Sequence, residues 1–190
     1  MDIPKKCGDE KIVYTGNVFE VVNQPLKIGE RVFDFESVRR APGVRLIIIR
    51  NGNVLLTKEY RMEFEGFDWR LPGGRVFDSL KEYQEGLENN EDIMSHALTA
   101  AKKECLEEAG LIVKKISHFH TSQCGVTIKW DLIYFVITDF KESPTGQQTE
   151  AGEIIYPEWK PFHVAKKMCI NGDIKEDRTA SVLLRFLSKE

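Results

Sequence analysis

Cysteine is scarce in this chain. Cys7, Cys105, Cys124 and Cys169 are the only four in 190 residues, and none forms a CxxC pair. That argues against a disulfide scaffold and against the usual zinc-ribbon spacings, and it suits free thiols in a reducing compartment. Long apolar runs are missing as well. No segment approaches a membrane-spanning length, and Met1-Asp2-Ile3-Pro4-Lys5-Lys6 lacks the apolar stretch of a secretory signal. The expected location is therefore cytoplasmic. Excess charge of either sign is absent too: 27 Lys and Arg face 30 Asp and Glu, a net −3. Such a chain has no electrostatic footprint for nucleic acid or for an anionic membrane. An anionic substrate would need local positive charge or a metal.

What is present is 42% hydrophobic and 30% charged sequence, the balance of a globular protein that can bury a core without staples. Residues 11–14, 18–22 and 31–35 read as short strands punctuated by Gly16-Asn17 and Ile28-Gly29-Glu30, a small antiparallel meander. Pro42-Gly43 separates it from Val44–Arg50, a nearly unbroken β-branched run expected to be a buried strand. Asn51-Gly52 then predicts a hairpin into residues 53–57, because both turn positions favour positive φ. A loop is expected from Glu59 to Arg70. Residues 92–109 are helical in pattern, with Asp92 or Ser95 to cap and Gly110 to stop. Strands are expected at 111–113, 116–121, 128–138 and 154–156. Two helices broken at Asn171-Gly172-Asp173 complete the chain. The fold class is α+β, or mixed α/β: an N-terminal β extension over residues 1–41, then a main domain over 42–190 with a mixed sheet and helices against it.

The most informative segment is Lys103-Glu104-Cys105-Leu106-Glu107-Glu108-Ala109-Gly110. On a helix, Glu104 lies one turn from both Glu107 and Glu108, so the three carboxylates share a face. Like charges at this spacing cost about 0.2–0.5 kcal/mol per pair. Their place at the negative end of the helix dipole costs roughly 0.3–1 kcal/mol more per charge. A hard divalent cation would relieve both. Alone, Glu-x-x-Glu-Glu is more often a solvated acidic face. The context changes the balance, because Leu71-Pro72-Gly73-Gly74 precedes the helix and its glycines let backbone approach a ligand closely.

Together, Gly74 and the stretch from Lys103 to Leu111 resemble the Nudix box, the loop-helix-loop signature of the Nudix hydrolase superfamily. The resemblance implies an α/β/α sandwich and hydrolysis dependent on Mg²⁺, which Mn²⁺ can replace. Glu104, Glu107 and Glu108 would be the metal ligands, with the Gly73 carbonyl as another. Two departures stand out. Lys103 occupies the position usually held by arginine, keeping the charge and losing the bidentate fork. The box is also interrupted: its spacing asks for glutamate at position 80, which is Leu80, and about fifteen polar and acidic residues, Leu80 to Met94, intervene before the helix. A surface loop is the simpler reading of the insertion; a flap over the substrate or a subunit contact is the other.

Beyond the box, Pro42-Gly43-Val44, Glu59-Tyr60-Arg61 and the Asn171-Gly172-Asp173-Ile174 turn between the last helices resemble the ADP-ribose pyrophosphatase branch. That implies a small nucleoside-diphosphate substrate, ADP-ribose foremost, and a homodimer contacting through its N-terminal strands. GDP-mannose or a dinucleotide coenzyme are alternatives, as is a weakly catalytic regulatory module. The branch also implies a general base from the loop over residues 143–153, with Glu153 the first candidate and Glu150 the second. Arg39, Arg40 and Arg61 are candidates for the phosphates or distal ribose, with Gly74 beside them. Arg70 stands where sugar-nucleotide members commonly have glutamate. Trp69, Phe64 and Phe67 could stack on a base, though core packing is the simpler role. His118 and His120 resemble a metal pair only superficially.

Overall fold

The computed structural model describes residues 2–150 and 152–190. Five short elements begin the chain: β1 (Lys5–Lys6), β2 (Lys11–Thr15), β3 (Phe19–Ile28), β4 (Arg31–Arg40) and β5 (Gly43–Arg50). The first four form an antiparallel sheet in which β3 lies beside β1, β2 and β4. The meander expected from the turn signals is there, with its second and third strands running longer than the apolar patterning indicates. Gly29 (φ 57°) makes the β3–β4 turn.

β5 begins the second sheet. Asn51 (φ 50°) and Gly52 (φ 71°) both take positive φ and return the chain into β6 (Asn53–Arg61), the hairpin the dipeptide predicts. β5 and β6 pair only beside the turn, at Ile49–Val54 and Arg50–Asn53, and then diverge. β6 goes on to pair with β7 (Gly66–Arg70), which follows a single 3-10 turn at Met62–Phe64. The Glu59–Arg70 loop expected from sequence is therefore a second hairpin. The gap left beside β5 is filled by residues 72–75: Leu46 N donates to the Pro72 carbonyl at 2.8 Å and Val44 N to that of Gly74 at 2.9 Å.

The insertion is the largest correction. Instead of a loop, it forms helix α1 (Leu80–Glu88), followed by α2 (Ile93–Ala109). Ser79 caps α1 by accepting from Glu82 N at 3.1 Å, while the Glu82 carboxylate reaches back to accept from Asp78 N at 2.9 Å, just before the cap. Leu80 is buried, and Tyr83 packs on Phe77. Asp92 caps α2, and Gly110 (φ 65°) ends it, as the sequence indicates.

β8 (Leu111–Ser122) follows. The strand expected over residues 128–138 is split at Trp130-Asp131: β9 (Ile128–Lys129) joins β4 in the first sheet, and β10 (Leu132–Glu142) enters the second. β10 runs parallel to β5 and antiparallel to β8, so the second sheet is mixed. β11 (Ile155–Pro161) pairs with β6 at an edge, where Pro157 and Pro161 are tolerated. Helices α3 (Phe162–Asn171) and α4 (Asp177–Leu187) close the chain around Gly172 (φ 79°).

Alternation along β5 sends Val44, Leu46 and Ile48 to one face and Ile47 to the other. The first face packs on Ala97, Ala100, Ala101 and Cys105 of α2, whose small side chains allow close approach. The second packs on Ala165, Met168, Val182, Leu183 and Phe186 of α3 and α4. Helices thus cover both faces of the mixed sheet, the α/β/α sandwich expected above. Leu183 has no exposed surface. Leu183→Ala should lower the unfolding free energy by about 2–5 kcal/mol in urea titrations followed by circular dichroism, whereas Leu87→Ala, on the outside of α1, should change it by less than about 0.5 kcal/mol.

Candidate active site

The site is assembled where residues 72–75 cross the C-terminal end of α2. Gly73 adopts φ 147°, and a Cβ there would stand 2.2 Å from the Val44 carbonyl oxygen. At Gly74 a Cβ would stand 2.0 Å from Glu104 Oε1. Gly73 needs glycine because the β5 backbone presses on it, whereas at Gly74 a side chain would displace the Glu104 carboxylate. Gly73 N donates to Glu108 Oε2 at 2.7 Å. The Pro72 and Gly74 carbonyls are taken by β5, whereas among the described residues the Gly73 carbonyl accepts no hydrogen bond.

Glu104, Glu107 and Glu108 line one cavity of about 600 Å³, together with Glu59, Glu63, Glu150 and Glu153. Glu108 continues the buried stripe of α2 and is 6% exposed. Burial pushes its carboxyl well above the ordinary range, and nearby Glu59 adds to the effect. Glu59 is raised mainly by burial, against the hydrogen bond from Thr57 at 2.6 Å. Glu104 is pushed up to about 7, by burial first and then by Glu107, with Glu153 and Glu150 contributing further. Lys103 bridges to Glu107 at 3.6 Å, and that carboxylate raises the lysine in return. Partly desolvated acids are thus crowded together, and nearby Arg45, Arg61 and Lys103 offset only part of the effect of burial on Glu59, Glu104 and Glu108.

This donor set of carboxylates and a free carbonyl fits a hard divalent cation. Among the described residues no three His, Cys, Asp or Glu side chains converge closely enough to hold an ion without some adjustment.

The model of the NUDIX domain matches residues 39–176. This chain belongs to the Nudix family. It is accordingly a Nudix pyrophosphohydrolase. A comparison with curated proteins finds no match. The fold is similar to a solved structure described as "Crystal structure of ADP compounds hydrolase", with a TM-score of 0.72 over 98% of this chain and 92% of that one, at 17% identity.

Most of the residues singled out from the Nudix-like sequence lie in this cavity: Gly73, Gly74, Glu104, Glu107, Glu108, Glu150, Glu153, Arg40, Arg61 and Arg70. The loop carrying Glu150 and Glu153 is tied to the end of α2, since Gln148 N donates to the Glu107 carbonyl and Ser143 N to that of Gly110, each at 2.8 Å. Arg39 lies outside the lining. It is held by Glu10 at 2.6 Å and by fully buried Glu20, which also accepts from Gln84 of α1. Arg70 reaches the cavity but is paired with Asp68 at 3.0 Å and Glu63 at 3.5 Å. Arg61 is shared between Glu59 at 3.6 Å and Glu63 at 3.3 Å. Arg40 has no ion-pair partner among the described residues. It lies 4.2 Å from the centroid of Trp130, and burial, with Arg45, Arg75 and Arg178 nearby, lowers its pKa.

Sequence reasoning missed Arg45, Glu59, Arg75 and Trp130, all of which line the cavity. Arg45 carried a usable signal: a charge within the apolar run of β5 must have a buried role. It reaches Glu176 at 3.4 Å. His118 faces Thr121 at 3.0 Å and the edge of Phe135, and no metal-type cluster includes it among the described residues. Trp69 packs against the core, while Phe64 and Phe67 are exposed. Gly73→Ala should lower the unfolding free energy by roughly 2–4 kcal/mol, because the new methyl meets backbone that cannot swing aside. Urea denaturation of the metal-free protein would measure it.

Proposed function

We propose that this Nudix hydrolase cleaves the pyrophosphate of a nucleoside-diphosphate sugar, with ADP-ribose the preferred substrate, and yields a nucleoside monophosphate and a sugar phosphate. The observation that carries the reading is the crowding of buried Glu108 and half-buried Glu104 and Glu107 against a glycine turn, in a cavity that also holds five arginines. The first group suits divalent cations and the second suits phosphate oxygens. The similar fold of a protein described as an ADP compounds hydrolase also supports it.

In this reading Glu104, Glu107, Glu108 and the Gly73 carbonyl hold Mg²⁺, or Mn²⁺ in its place. When bound, such ions supply Lewis-acid neutralisation of the diphosphate and make a nearby water more acidic. Arg40 and Arg75 are the arginines best placed to meet phosphate, since Arg40 has no acidic partner and Arg75 donates only to the Asp78 carbonyl, at 3.3 Å, among the described residues. Arg61 and Arg70 would have to share their charge with Glu63. Glu153, with Glu150 second, accepts the proton of the attacking water. Glu150 N donates to the Glu153 carboxylate at 3.2 Å, which holds that side chain near the helix end.

The protein also forms a homodimer in this reading, in a cytoplasmic setting. The N-terminal sheet exposes Ile12, Val13, Tyr14, Phe19 and Val32, with Tyr14 and Phe19 in contact, apolar side chains of the kind that partners cover. Light scattering should give twice the 21.8 kDa chain mass; a monomer at all concentrations would rule the dimer out.

A panel of ADP-ribose, ADP-glucose, GDP-mannose, NADH and a deoxynucleoside triphosphate with Mg²⁺ tests the activity. AMP and ribose phosphate should appear fastest, and release of orthophosphate or pyrophosphate from the triphosphate alone would redirect the assignment. Glu107→Gln and Glu108→Gln should each lower turnover about 100-fold or more, at least the loss typical of metal-site partners. Glu88→Gln, on exposed α1, should change it less than about twofold. Equal losses at all three positions would remove the assigned site.

A further inference from the structure

The inserted helix gives the cavity a second compartment. A space of about 420 Å³ lies between α1 and α2, lined by Asp78, Glu82, Glu85, Glu91, His96 and Thr99. Arg75, Glu104 and Glu150 line both this space and the one that holds the Nudix acids. A diphosphate held over Glu104 therefore sits at the junction, and one of its ends faces the space walled by α1.

The charges along the two compartments differ. Arg40, Arg45, Arg61, Arg70 and Arg75 reach the first. In the second, Arg75 and Lys103 face six carboxylates. Lys103 is engaged by Glu107 at 3.6 Å, and Arg75 by the Asp78 carbonyl. Glu91 is matched by His96 at 2.6 Å, and Glu82 serves the cap of α1. Glu85 is exposed on the wall, with only Lys81 near it at 3.5 Å. Hydroxyl-bearing or cationic groups are favoured in such a space, and a further phosphate is repelled.

We infer that the α1 insertion builds a subsite for the distal half of the substrate, one that admits neutral or cationic groups and discriminates against anionic ones. This rests on the diphosphate-hydrolase reading above and adds the selectivity that the interrupted box confers. The ribose of a nucleoside-diphosphate ribose fits it, and a dinucleotide whose distal base is a positively charged pyridinium fits it better than the reduced, uncharged form.

Oxidised and reduced nicotinamide dinucleotides, NAD⁺ and NADH, differ by one charge on the distal ring, so their ratio of kcat/KM reads the sign of the subsite. The Mg²⁺-loaded wild type should prefer NAD⁺. Glu85→Lys should reduce that preference on the order of fivefold at low salt, less as ionic strength rises. Glu85→Gln should do about half as much on a logarithmic scale. Glu88→Lys makes the same charge change on the same helix outside the compartment and should leave the ratio unmoved. A ratio insensitive to Glu85, or equally sensitive to Glu88, overturns the subsite. The same ratio taken from dissociation constants in competition binding decides the matter even if neither dinucleotide is turned over. Failure of every diphosphate in the panel would instead defeat the hydrolase reading, which keeps the two outcomes apart. Glu85 is solvent-exposed, so matched unfolding curves should show all variants folded.

Discussion

The divergence of β5 from β6 is the constraint on which the rest depends. Two strands that pair only at their turn leave the backbone groups on one edge of β5 without partners, and buried backbone must be satisfied. Residues 72–75 fill that need with two main-chain hydrogen bonds. Doing so brings the chain against β5 so closely that only glycine fits at 73, and sets Gly74 beside the Glu104 carboxylate of α2. The contact that places a peptide N–H on Glu108 is thus a by-product of completing the sheet. Chemistry at this helix end inherits its precision from ordinary strand pairing.

Electrostatic strain is the cost of the arrangement. Glu108 continues an apolar stripe whose other members are alanines and a cysteine, and Glu59 faces it from β6. A fold selected for stability alone would place an apolar residue there. Arg45, reaching the same region from β5, provides partial relief but is itself shared with Glu176. The acids are therefore held in a state that would gain from a nearby cation.

How much of this was legible in the sequence follows from range. The Asn51-Gly52 hairpin, the Gly110 stop and the three-carboxylate face of α2 are local, fixed by φ preferences and by 3.6 residues per turn, and all three stand as read. Arg39 shows the limit: next to Arg40 in sequence, it points the other way along β4 into Glu20 and Glu10, and only the strand's alternation separates the two. Trp130 becomes a neighbour of the site where the chain passes from β9 in the first sheet to β10 in the second, a placement that no window of sequence contains. The α1 helix had a readable cap in Ser79-x-x-Glu82, but its few apolar residues were masked by acids. Its packing partners, Phe77 and the Glu20 carboxylate bonded to Gln84, come from outside the helix.

The capped, separately packed α1 also bears on how such motifs evolve. The glycine turn is strapped to β5 and α2 is seated on its own core, so neither end of the intervening stretch relies on that stretch for its position. Length there is free to drift, and new elements can be grafted between two fixed anchors without disturbing the acids. The geometry of the site is kept by the anchors on either side of the inserted helix.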